Sequence, residues 1–183
     1  MQITFDTDNF SSGRKSDVAL TNVLHYLKRN GCIGEMHDHS VERITCRTPS
    51  ATLRYCRYFA NRGVSPHTEK VFLRNPSLGV RYLKMVGRSE FADPDVQRKF
   101  RKKFRSDAAA AYEWASAFKT RLTEDEEKVF RKSMRLARDY AREVIGGKFP
   151  EKVHAMIILA SFKDMSQYEK RYLDDYVKFA EGK

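Results

Sequence analysis

Three aromatic pairs set the frame for this chain. Phe72, Phe104 and Phe130 each stand ten residues before a second ring, Tyr82, Trp114 and Tyr140. Four residues before the second ring comes Leu78, Ala110 or Leu136, and one after it comes Leu83, Ala115 or Ala141. Val86, Phe118 or Val144 follows at four, and Phe91, Leu122 or Phe149 at eight or nine. Tyr55 heads a further match with Ala51, Cys56, Phe59 and Val64, but offers Thr45 where the others carry Phe. The match reaches the R-x-P-S-x-x-x-R-Y shared by residues 47–55 and 74–82, and the Glu-Lys-Val-Phe of 69–72 and 127–130. Spacings of 27, 32 and 26 residues between second rings mark an internal repeat.

The repeat has a physical reading. Its second ring and the positions four before, one after and four after share one face of a helix. The Phe ten residues earlier needs a break to join that face. Asn75-Pro76 and Thr48-Pro49 supply it, because a residue before Pro avoids the helical region while Pro suits a first helical turn. Ser106-Asp107 and Ser133 stand at the same place without Pro. Gly63, Gly87 and Gly146-Gly147 stand where the second helix must stop. Each unit is a short helix, a turn and a longer helix of about three turns. One unit cannot bury its face alone, so neighbours must stack.

The expected fold is therefore all-α: a short tandem array of three to four helix pairs, a small α-solenoid, over residues 41–150. Residues 1–40 form a separate N-terminal segment. It holds a short strand or ordered end at 2–5 and a helix capped by Ser16 or Asp17, running through Leu20, Val23, Leu24 and Leu27 to Asn30-Gly31. Residues 151–183 form a C-terminal helical cap. One helix runs through Val153, Ile157, Ile158 and Phe162, the other through Tyr168, Tyr172, Leu173, Tyr176 and Phe179.

The unit resembles the tandem helical repeats found in many bacteriophage-encoded proteins, with a pattern of roughly N/D-P-x-x-A-x-x-Y-A-x-x-V-x-x-G-x-F-P-E. "RLARDYAREVIGGKFPE", residues 135–151, carries it best, and "NPSLGVRYLKMVGRSEF", residues 75–91, comes next. "SDAAAAYEWASAFKTRL", residues 106–122, departs from it with Trp for Tyr, one residue fewer and no Pro-Glu. The resemblance covers residues 42–151 only. It implies a phage or prophage source, an α-helical array and a place in the host cytoplasm. It implies no catalytic residue, because the shared positions are packing positions.

Charge locates a candidate surface. The chain carries +11, yet residues 1–40 hold four cations and five acids, and residues 151–183 hold six of each. The excess therefore lies in the middle, where it attracts polyanions. Arg98, Lys99, Arg101, Lys102, Lys103 and Arg105 surround Phe100 and Phe104. On a helix the two rings turn inward while the cations fan out. Arg131, Arg135, Arg138 and Arg142 then follow as one stripe, flanked by Lys128 and Lys132. Aligned guanidinium groups suit phosphates. The competing reading is a solvated helix face balanced by Glu124, Asp125, Glu126, Glu127, Asp139 and Glu143.

Other chemistry has thin support. There is no G-x-S-x-G, H-E-x-x-H, P-loop or dinucleotide-binding glycine pattern, so neither an enzyme nor a cofactor is expected. Cys32, His37 and His39 lack the spacing of a structural zinc site and read as a polar loop. Three cysteines at irregular spacing argue for a reducing compartment. Tyr55, Tyr82, Trp114 and Tyr140 read as core, Tyr58 and Tyr112 as freer, and His154 as a satisfied core residue. No signal peptide and no run approaching the ~20 apolar residues of a membrane helix is visible. The expected function is non-enzymatic binding of RNA or DNA backbone through the basic face. The alternative is a phage inhibitor or adaptor that grips a host or defence protein.

Overall fold

The computed structural model describes residues 21–22, 29, 42–43, 45–58, 63–160 and 165–182. Among them the protein is all-α, with nine α-helices from Pro49 onward and no strand. Residues 21, 22 and 29 are helical. The expected strand at 2–5, the helix start near Ser16, the Cys32–His37–His39 loop, Phe59 and Phe162 lie outside the described residues. No helix among the described residues is long and apolar enough to cross a membrane.

The chain divides into two compact units, Met1–Gln97 and Arg98–Lys183. The first holds α1 (Pro49–Tyr58), α2 (Pro66–Glu69), a 3-10 segment (Lys70–Arg74), α3 (Pro76–Met85) and the start of α4 (Pro94–Phe104). The second holds the rest of α4, α5 (Ala108–Phe118), α6 (Glu124–Glu127) and a 3-10 segment (Lys128–Lys132). It continues with α7 (Met134–Tyr140), a π segment (Ala141–Ile145), α8 (Glu151–Ala160) and α9 (Gln167–Ala180).

The breaks fall where the sequence places them, and each carries a cap. Asn75, Asp107 and Ser133 are extended, and their side chains accept the backbone N–H of Leu78, Ala110 and Leu136. Thr48 Oγ1 accepts from Ala51 N–H at 3.2 Å. Each cap of this kind stabilises its helix by about 1 kcal/mol. Gly87 (φ 69°) and Gly146 (φ 67°) end their helices in the left-handed region. After α5 no glycine is available, and Lys119 adopts that backbone instead, at φ 50°.

The core follows the repeat. Phe72, Phe104 and Phe130 are buried, as are Tyr55, Tyr82, Trp114 and Tyr140 and the four residues that follow them. The Phe72–Tyr82 and Phe130–Tyr140 rings stack at 4.6 and 4.5 Å. Phe91 and Phe149 close the two clusters, 6.0 Å from Tyr82 and 5.5 Å from Tyr140. Such ring pairs add about 0.5–1.5 kcal/mol to the burial itself. Leu78, Val86, Phe118 and Val144 are only half-buried, so these positions carry less of the core than the repeat suggests.

In the second unit α8 lies along residues 128–132 and α9 packs across α7. Val153, Ile157, Leu173 and Tyr176 are buried. Tyr168, expected on the same stripe, is 78% exposed, because the buried line of α9 begins one turn later. Tyr176 takes the role of a further repeat ring. Its fully buried ring meets that of Phe149 edge-on at 5.7 Å. The sequence hides this, since no Phe stands ten residues before Tyr176.

Candidate functional site

Helix α4 is set by its first turn. Asp93 Oδ1 accepts the backbone N–H of Asp95 at 2.8 Å, and Pro94 opens the helix. Val96, Phe100 and Phe104 recur every fourth residue and are buried. The opposite side therefore faces solvent, and there the sequence puts Arg98, Lys99, Lys102 and Lys103, all exposed, with exposed Arg105 just beyond. Residues four apart climb about 6 Å along the helix. Lys99 and Lys103 form one line, and Arg98, Lys102 and Arg105 another. Among the described residues no carboxylate pairs with Lys99, Lys102 or Lys103. Arg105 reaches Asp125 only at 3.8 Å.

Arg101 behaves differently from its neighbours. Its guanidinium bonds Glu126 through Nε at 2.9 Å and a terminal nitrogen at 2.6 Å. It also lies 4.1 Å over the Trp114 ring and 5.2 Å from that of Phe104. Its position explains why. Tyr82 donates its hydroxyl to Glu69 at 2.9 Å, and Tyr140 donates to Glu127 at 3.1 Å, each thirteen residues upstream. Trp114 occupies the equivalent place, and thirteen residues before it stands Arg101. A hydroxyl–carboxylate pair is replaced by a cation–π pair, and Glu126 balances the new charge. Arg101 thus belongs to the packing rather than to the exposed row.

The later cations divide in the same way. Lys128 pairs with Asp125 and holds that carboxyl below its usual range. Arg135 lies 3.8 Å from Asp139 and is largely exposed. Arg138 bonds Asp139 at 2.7 Å and Asp175 at 3.3 Å, and sits 4.5 Å over the Tyr172 ring. Arg142 lies 5.5 Å over Phe179. The expected Arg stripe is not one open row, because α9 brings Tyr172, Asp175 and Phe179 against its second half. Arg131 and Lys132 remain exposed, at the lip of a groove with Met134, Met156, Leu159, Ala160, Met165 and Glu169.

Glu69 and Glu127 are functional to the fold, and helical periodicity overlooks them. Both are fully buried. Besides Tyr82, Glu69 takes Arg88 at 2.6 Å and the Ala92 N–H at 2.8 Å. Besides Tyr140, Glu127 takes Arg121 at 2.9 Å. Glu42 sits alike, and accepts the Ser65 N–H at 2.9 Å. Ala92 and Ser65 each lie 23 residues after their carboxylate. The same step from Glu127 reaches Pro150, which has no N–H, and Glu127 Oε2 is buried without a hydrogen-bond partner among the described residues.

Other candidate groups are occupied. Tyr112 donates to Glu143 at 2.7 Å, while Tyr58 is 43% exposed. His154 Nδ1 lies 2.6 Å from the Tyr176 hydroxyl, and burial keeps its pKa below the ordinary value. Cys46 and Cys56 are buried free thiols. Burial pushes Cys46 up to about 12, so it packs as a small apolar side chain. No group of three or more His, Cys, Asp or Glu able to hold a metal occurs among the described residues. Comparison with family models, with curated proteins and with solved structures finds no match.

Proposed function

We propose that this chain is a non-enzymatic binding protein that holds the backbone of RNA or DNA through the exposed side of α4. One observation carries the reading: Arg98, Lys99, Lys102, Lys103 and Arg105 are all exposed on one side, over a seam of buried Val96, Phe100 and Phe104. Lys99, Lys102 and Lys103 meet no carboxylate of the described chain, so their charge is available to a polyanion. Ammonium groups on flexible stems recognise phosphate as point charges and read no sequence. The rings of α4, Phe100 and Phe104, are buried in the core, so contact along this helix is with backbone rather than base. The resemblance of residues 42–151 to phage-encoded helical repeats supports a phage origin, a tandem helical array and action in the host cytoplasm.

The test is what accompanies the full chain out of cells. Nuclease-sensitive absorbance of nucleic acid in the purified protein is expected, and a Lys99→Glu/Lys102→Glu/Lys103→Glu variant should lose it while keeping its helicity. A wild-type protein that carries no nucleic acid and is not retained on it at low salt would refute the reading.

A further inference from the structure

The groove beside α8 carries a second inference, independent of the basic side of α4. It encloses about 640 Å³, within the range of sites that accept a side-chain cluster or a ligand. Met134, Met156, Leu159, Ala160 and Met165 supply its apolar part. Leu159 is 63% exposed, a large aliphatic side chain that the fold leaves uncovered. Met156 and Met165, half-buried thioethers on unbranched stems beside the buried Met134, make a surface that re-packs around different apolar guests.

The charges at the groove are asymmetric. Lys128, Arg135 and Arg138 each have a carboxylate nearby in the chain. Arg131 and Lys132, at the lip, have none among the described residues. Among the described residues Glu169 is the one acid that lines the groove, and it is engaged in the N-terminal cap of α9, where its Oε2 accepts from the Ser166 hydroxyl at 3.1 Å. Among the described residues the lip is therefore positive. Among the described residues no Phe, Tyr or Trp lines the groove, so the described lining offers no platform for a nucleic-acid base. An apolar floor with cations at the edge matches an amphipathic helix that has apolar anchors one turn apart and carboxylates beside them.

We infer that this groove docks an acidic amphipathic helix of a partner protein, with Leu159, Met156 and Met165 taking its apolar anchors and Arg131 and Lys132 its carboxylates. The protein then joins a nucleic acid on one surface to a protein on another.

A displayed random-peptide library selected on the immobilised full chain tests this. Enriched peptides should share Leu, Ile, Met or Phe at helical spacing with flanking Asp or Glu. Leu159→Glu, and separately Arg131→Glu/Lys132→Glu, should each weaken them about tenfold, the scale of an interface anchor. Both changes are at exposed positions, and circular dichroism checks that helicity is kept. The Lys99→Glu/Lys102→Glu/Lys103→Glu variant should bind the peptides as the wild type does. The inference is overturned if no such peptides are enriched, or if those enriched bind the groove variants unchanged. It is also overturned if the α4 variant loses them equally, or if an oligonucleotide displaces them, since the groove would then be part of the polyanion surface.

Discussion

Tyr140 donates its hydroxyl to the buried carboxylate of Glu127, and the same oxygen accepts the Leu122 backbone N–H at 2.8 Å. One atom thus ties the second helix of a repeat to the start of that repeat and to the end of the one before. Tyr82 does the same for Glu69 and Val64. Tyr140→Phe keeps the ring stack on Phe130 but leaves the Leu122 N–H and Glu127 short of a partner. Urea denaturation should show a loss of about 1–3 kcal/mol. A loss within experimental scatter of zero would mean the hydroxyl is incidental to the fold.

Trp114 and Arg101 replace that pairing, so Arg101 and Glu126 should be energetically coupled. A double-mutant cycle on Arg101→Ala and Glu126→Ala should give a coupling of about 1–3 kcal/mol. Arg101→Ala alone should also weaken nucleic-acid binding less than loss of Lys99, Lys102 or Lys103 does. Additive effects on stability, or a leading effect on binding, would return Arg101 to the exposed row.

The sequence made the rings legible and the carboxylates illegible, for a physical reason. Phe72 and Tyr82, or Phe130 and Tyr140, are apolar and recur, and the Pro, Asn and Ser between them announce the break. Glu69 and Glu127 recur as faithfully, in the same four-residue string. A charged residue reads as solvent-facing, however, and thirteen residues across a helix break match no helical period. Arg101 shares that blind spot and so falls among the surface cations. The division of the Arg131–Arg142 stripe depends on where α9 lands, which no local pattern in residues 131–142 encodes.

The helix stops can be compared directly. Gly146 has φ 67° and open space where a Cβ would stand, so Gly146→Ala changes backbone strain alone. It should destabilise by about 1 kcal/mol. Lys119 already bears that strain, and Lys119→Gly should leave stability unchanged or raise it. Thermal melts should therefore show a loss in Gly146→Ala and none in Lys119→Gly, and a clear loss in Lys119→Gly would contradict the backbone argument.

Protonation of His154 should weaken the second unit. Burial lowers its folded pKa, with Lys148 adding to the effect, so the unfolded chain takes up the proton more readily. The contribution of His154 is complete above its ordinary pKa of about 6.5. It declines as pH falls through that value and levels off below the folded pKa. His154→Gln should flatten this part of the stability profile, measured as the difference from wild type across pH 5–7. An unchanged slope would show that Nδ1 is indifferent to its proton.

The most direct test of the central claim is the salt dependence of binding to a generic oligonucleotide duplex. The affinity of the wild-type chain should fall steeply and linearly on a double-logarithmic plot. The Lys99→Glu/Lys102→Glu/Lys103→Glu variant should show a slope shallower by at least about 0.9 per lost phosphate contact. A wild-type affinity that ignores salt, or a variant with the wild-type slope, would contradict the assignment of α4 as the nucleic-acid surface.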